Sequence, residues 1–184
     1  MCSSDLVASE RTSGIDLETA YTHRLGGGTL TTRVIGNYLI TEDLPTEITG
    51  CAQASLVGAI GGCLGANGYP RWKGNVSLQY DTPRYGVFVQ ERFIAAGKAD
   101  PWDVVGVTVN RNAVPMIEYT DLTLNYTIGS VFHAPGQAYF NVTNLFNRTP
   151  PETIISAGAY DSFTSYDVYD VLGRRFFLGY RIKF

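Results

Sequence analysis

Seven stretches of this chain alternate apolar with polar residues, and the links between them run short, long, short, long, short, long. A period of two sends successive side chains to opposite faces of a strand, so each stretch reads as a strand with one apolar and one polar face. The stretch 71–80 is the cleanest of the first half: Trp72, Val76, Leu78 and Tyr80 oppose Arg71, Lys73, Asn75, Ser77 and Gln79. The same reading gives strands at 14–24, 29–41, 85–95, from about 117, at about 137–147, and at the end of the chain. In the fifth, Leu122, Leu124, Tyr126 and Ile128 oppose Asp121, Thr123, Asn125 and Thr127. In the fourth, strict alternation holds only at Tyr85, Val87 and Val89, because Glu91 and Arg92 are adjacent. Short turns are expected at Gly26-Gly27-Gly28, at Asp81-Thr82-Pro83-Arg84 and around Pro135-Gly136, where Gly and Pro supply turn geometry. The long links cover about 42–70, 96–116 and 148–168.

The polar faces carry Arg, Lys, Asp, Asn, Gln and Thr, too much polarity for the dry core of a soluble sandwich without extensive pairing. Hydrophobic residues make up 45% of the chain and charged ones 17%, yet no run of 18 apolar residues exists to form a membrane helix. A barrel strand needs only about 9–11 residues, half of them apolar. Tight turns on one rim and long loops on the other are systematic in outer-membrane barrels, whereas a sandwich has no need of them. Tyr21, Tyr38, Trp72, Tyr80, Tyr126, Tyr180 and Phe184 lie near strand ends on the apolar faces, where aromatic girdles meet headgroups. The expected fold is therefore all-β, a transmembrane antiparallel barrel of the bacterial outer membrane, with all three long links on one rim. A net charge of −3 and no basic stripe argue against nucleic acid.

No catalytic constellation stands out. His23 and His133 fall near a strand end or turn without a paired nucleophile, and Gly26-Gly27-Gly28 lacks the Lys-Ser/Thr of a phosphate loop. Neither an enzyme nor a cofactor is expected. Cys51 and Cys63, twelve positions apart in a Gly- and Ala-rich segment, are a candidate disulfide in an exported chain. A zinc site would need more ligands than the two distant histidines offer. The sequons at Asn75, Asn125, Asn141 and Asn147 fit chance in an Asn- and Thr-rich sequence, because three fall within strands.

The last 50 residues carry a resemblance. Phe140-Asn141-Val142-Thr143-Asn144-Leu145-Phe146-Asn147 resembles the penultimate-strand motif of TonB-dependent receptors. Tyr169-Asp170-Val171-Leu172-Gly173-Arg174-Arg175-Phe176 is similar to the family's segment opening the last strand. The tail Phe176, Leu178, Tyr180, Ile182 and Phe184 resembles the signal by which barrel-assembly machinery recognises outer-membrane barrels. The likeness turns on Asn144, Leu145, Phe146, Asn147, Gly173 and Arg174, and extends weakly back to about residue 14. It implies a 22-stranded barrel in outer-membrane lipid, plugged by an N-terminal domain. It also implies energised uptake, through the TonB complex, of a scarce ligand such as a ferric siderophore.

The chain departs from that family in having about seven strands and no plug, TonB-contacting box or signal peptide. Residues 7–184 are thus expected to be the C-terminal part of a barrel, unable to transport alone. Residues 1–6 are expected to be a non-native scar, since Cys2-Ser3-Ser4-Asp5-Leu6 matches a translated sequencing adapter. A passive porin or autotransporter barrel would share the girdles and terminal Phe. The Asn144–Asn147 and Gly173-Arg174 pair favours the TonB-dependent family.

Overall fold

The computed structural model describes residues 11–43, 55–61, 68–131, 134–153, 155–157 and 160–182. Its strands are β1 (Arg11–Leu25), β2 (Gly28–Asp43), β3 (Trp72–Asp81), β4 (Tyr85–Ile94), β5 (Gly97–Lys98), β6 (Ala113–Val114), β7 (Ile117–Val131), β8 (Ala134–Thr143), β9 (Ile155–Ala157), β10 (Tyr160–Ser162) and β11 (Arg175–Ile182). Seven of them form one antiparallel sheet in the order β1-β2-β3-β4-β7-β8-β11, so its strands follow one another in chain order. β1 and β11 are its two edges. No described helix is long and apolar enough to cross a membrane.

The turns explain the pairing. Leu25 pairs with Gly28, leaving Gly26-Gly27 as a two-residue turn with positive φ at Gly26 only, as type II′ hairpins require. Between β3 and β4, the Thr82 hydroxyl accepts the Arg84 and Tyr85 amides at 3.3 and 3.0 Å, a side chain standing in for turn backbone. The third turn differs from expectation. Pro135 and Gly136 belong to β8, and Gly136 pairs with both Ile128 and Ile182. Gly136 is needed there for proximity, because a Cβ would strike the Tyr180 ring. Gly28 lies under the Tyr80 ring in the same way, since a Cβ there would come within 2.8 Å of the ring Cζ. Aromatic rings lying over strand glycines cover backbone that would otherwise be bare.

The expected faces hold across the register. Thr32, Leu78, Val89, Leu122, Val142 and Phe176 form one cross-strand row, and Leu30, Tyr80, Val87, Leu124, Phe140 and Leu178 form the next. Much of this face is open: Ile15, Leu17, Tyr21, Leu78, Tyr126, Phe176 and Leu178 are all exposed, Leu178 at 82%. The parity of β4 continues past Val89, so Glu91 sits on this face opposite Thr120, whose hydroxyl donates to it at 2.6 Å. At the other end of the sheet a bulge between Ser13 and Gly14 leaves Ile40 as the extra residue and pairs Thr12 with Glu42. The bulge turns Glu42 onto the polar face, where it is buried and accepts the Thr12 hydroxyl at 2.7 Å.

The apolar band does not run parallel to the rows. On β3 it extends from Trp72 to Tyr80. On β11 it begins at Phe176, level with Leu78, and runs to Ile182, four residues beyond the level of Tyr80. Its border near the short turns steps from Tyr80 on β3 to the level of Tyr85 on β4 and then to that of Ile128 on β7 and Ile182 on β11, while its opposite border runs level from Val89 through Leu122 and Val142 to Phe176.

The three long links meet on one rim. The Leu56 amide donates to Glu42 O, Ile60 N to Lys98 O at 2.7 Å, and the Ser165 hydroxyl to Ile60 O at 2.7 Å across 105 positions. Ile60, Val114 and Tyr169, one from each link, form a buried cluster with Ile94, Ala99, Ile117 and Val168 packed on it. These links contain structure that period-two reading passed over: β5 pairs with β6, and β9 with β10. Hairpins of two or three residues are too short to show a pattern.

Candidate functional site

β8 ends at Thr143, short of the expected 147, because Asn144 takes φ +54° and turns the chain out of the ladder. Asn tolerates this left-handed conformation better than most residues, since its short amide bonds locally. Fully buried, Asn144 uses that amide twice. Its Oδ1 accepts Arg148 N at 2.8 Å and its Nδ2 donates to Arg148 O at 2.9 Å. The Asn144 amide donates to Asp121 Oδ1 at 2.8 Å, and Leu145 N to Thr120 O at 2.7 Å, pinning the turn to β7. Asn147, also left-handed at φ +52°, accepts the Arg174 amide on its Oδ1 at 3.0 Å. Gly173 has φ +69°, and a Cβ there would stand 3.1 Å from that same Oδ1. The Arg174 guanidinium donates to Leu145 O at 3.3 Å and lies over the Phe176 ring.

The two motifs singled out in the sequence, Asn144–Asn147 and Gly173-Arg174, thus meet as a single clasp. It fastens the end of β8 to the start of β11. Asn144, Asn147, Gly173 and Arg174 do the fastening, while Phe146 projects outward, 66% exposed.

Beside the clasp, on the polar face, lies a charge network. Arg92 of β4 reaches Asp121 of β7 with both prongs, Nε to Oδ2 at 2.7 Å and Nη2 to Oδ1 at 3.2 Å, and its guanidinium lies over the Tyr119 ring. Asp170 faces Arg175 at 3.1 Å and Arg92 at 3.8 Å. The neighbouring Tyr169 is buried in the loop cluster, and burial pushes its hydroxyl well above the usual phenol range. Arg92 attracted notice in the sequence as part of a broken alternation and of the weak likeness at Gln90-Glu91-Arg92. Its role was hidden because its partners Asp121 and Asp170 lie 29 and 78 positions away, and only strand register brings them together. Opposite charges on the polar faces of adjacent predicted strands were the available signal.

The tail residues Phe176, Leu178, Tyr180 and Ile182 share the apolar face, with Phe140 stacked on Phe176. Arg175 and Arg181 take the other face, together with Phe177, which the sequence reading did not place. His23 is exposed near the first turn, stacked with Tyr21. Cys51, Cys63, His133, Lys183 and Phe184 lie outside the described residues. Among the described residues no group of three or more His, Cys, Asp or Glu could hold a metal. No family model, curated protein or solved structure matches the chain.

Proposed function

We propose that the chain forms the C-terminal strands of a TonB-dependent outer-membrane receptor, which imports a scarce ligand such as a ferric siderophore. The observation that carries the membrane part of this reading is the apolar face that the sheet leaves open from Ile15 and Leu17 to Leu178. Strands in a membrane barrel tilt by about 35–45° while the bilayer stays level. With neighbours about 4.8 Å apart, a tilt near 40° moves a level line along each strand by roughly 4 Å, a little over one residue. Over four intervals that comes to about five residues; the border near the short turns moves four, from Tyr80 on β3 to Ile182 on β11, and the opposite border steps once, between β3 and β4. A soluble sheet packing against a second layer would bury this face.

Bilayer dimensions fit too. Trp72 and Tyr80 lie eight residues apart, about 26 Å along the strand and roughly 20 Å along the normal once tilted, against an apolar band of about 25 Å. The open edges of β1 and β11 then belong against further strands of a closed barrel, since lipid cannot satisfy bare backbone groups. The receptor part of the reading rests on the clasp, which gives both family-like motifs a shared structural reason.

Two measurements test these parts separately. In the refolded Trp102→Phe chain, brominated lipid should quench Trp72 strongly, and Leu178→Arg should weaken insertion, since a midplane Arg costs about 2–4 kcal/mol. An unquenched Trp72 would refute the membrane face. For the receptor, deleting the intact gene should abolish energy-dependent uptake of a ferric siderophore during iron limitation. Undiminished uptake of every siderophore tried would leave a passive porin as the better reading.

A further inference from the structure

Asp121 is saturated: it takes both prongs of Arg92 and the Asn144 amide. Asp170 is a poorer partner for the remaining cation. Its Oδ1 is committed to the Leu172 amide at 3.1 Å, so a single oxygen, Oδ2, serves two guanidiniums. It meets Arg175 through one nitrogen and stands 3.8 Å from Arg92, beyond hydrogen-bond range. The Arg175 Nε–H is buried with no hydrogen-bond partner among the described residues. Guanidinium prefers a carboxylate that takes two parallel N–H bonds, as Arg92 and Asp121 show next door. The two arginine side chains are 35% and 37% exposed, whereas the Asp170 side chain is tucked in at 8%. Donors are therefore reachable from the polar face while their internal acceptor is under-equipped.

We propose that Arg92 and Arg175 form a receptor for a ligand carboxylate, with Asp170 as its built-in competitor. The proposal rests on the reading of the polar face as the wall of a water-filled lumen, through which a cargo passes. A carboxylate with two free oxygens takes the terminal Nη donors of Arg175, and Asp170 keeps its bond to Leu172. Binding then exchanges one ion pair for a better-formed one, which makes it reversible and suits a station on a path.

The test uses the full chain folded in detergent micelles with ¹⁵N-labelled arginine, titrated with acetate at constant ionic strength. Acetamide, of similar shape but uncharged, is the control. Acetate should shift the Arg175 Nε–H resonance saturably and acetamide should not. Asp170→Asn removes the competing charge at nearly constant shape and should lower the acetate midpoint about tenfold or more, the scale of one charge-assisted bond. Acetate should also shift the Arg92 Nε–H resonance saturably, and Arg175→Gln should abolish that shift. An unchanged midpoint in Asp170→Asn, or a response to acetamide equal to that to acetate, overturns the proposal. If Asp170→Asn fails to fold, the wild-type and Arg175→Gln titrations decide alone, and a saturable shift that survives Arg175→Gln is then fatal. Failed vesicle insertion would refute the membrane reading; normal insertion without an acetate response would refute this site only.

Discussion

The β1–β2 hairpin and the β7–β8–β11 region are built from the same alternating pattern but held in different ways. All of β1 is exposed, and its side-chain ties to β2 are few: Asn37 to Asp16 at 2.6 Å, Ser13 to Thr41, Thr22 to Thr31, the Glu18–Arg33 pair, and the Thr12–Glu42 bond past the bulge. β7, β8 and β11 are instead cross-braced by a buried amide, two left-handed asparagines and the Asp170–Arg175 contact, and β7 is tied to β4 by the bidentate Arg92–Asp121 pair. Alternation alone suffices to pair strands. Fixing where a strand stops, and what the following segment touches, takes buried polar groups, because only they penalise a slipped register heavily.

The sharpest break of that contrast is at Asn144. Asn144→Ala removes two buried hydrogen bonds and places a Cβ-bearing residue without a local amide at positive φ. The expected loss is about 2–4 kcal/mol in urea unfolding of the micelle-bound chain. Asn144→Gly keeps the backbone freedom and should recover about 1 kcal/mol of it. A loss below about 0.5 kcal/mol in Asn144→Ala would mean that the clasp is decoration on a sheet already fixed by its pattern.

A smaller effect is expected at Asp121. Asp121→Asn keeps the shape but weakens the pairing with Arg92, for an expected cost of about 1–3 kcal/mol, tempered by the partial exposure of Arg92. The double variant Arg92→Met with Asp121→Leu separates two roles. If it regains the lost stability, the pair specifies register without adding net stability; if it does not, the ion pair is itself stabilising.

How much of this was legible follows the same division. Strand positions, faces and the grouping of the three long links could be read from the sequence, because each depends on residues within a few positions of one another. The end of β8 was missed by four residues: the Asn144–Asn147 motif resembles a turn, but the strand was run through it, and the Asp121 contact that pins the turn lies 23 positions away. Pro135-Gly136 was misplaced for a related reason. Pro and Gly usually signal a turn, but Gly136 is needed under the Tyr180 ring, whose position depends on β11. The motif residues themselves were identified, though what they touch was not.

Tyr169 offers a probe of the loop-side anchoring by pH. Its hydroxyl is buried without a hydrogen-bond partner among the described residues, so the folded state favours the neutral phenol and its pKa is raised. The unfolded chain releases that proton near pH 10. Stability from this group is complete below pH 10 and declines above it, by about 1.4 kcal/mol per pH unit until the folded group also titrates. Tyr169→Phe should flatten that alkaline limb in a urea series at pH 9–12. An unchanged limb would show that the hydroxyl meets water and that the Ile60–Val114–Tyr169 cluster is looser than its burial implies.

The smallest effect is expected where the contrast predicts it, at Glu18 and Arg33 on the polar face of the hairpin. Their side chains are 61% and 50% exposed, so water screens the pair and holding two long side chains together costs rotamer entropy. Arg33 sits opposite Ala20, and Glu18 opposite Ile35, which makes the contact diagonal across the ladder. Glu18→Gln and Arg33→Gln should each change unfolding stability by less than about 0.5 kcal/mol, and their coupling in a double-mutant cycle should fall further in 1 M salt. Asn144→Ala in the same series supplies the scale. A coupling above about 1 kcal/mol that survives salt would mean the hairpin is anchored by polar contacts after all. The division between a patterned hairpin and a clasped C-terminal region would then have to be abandoned.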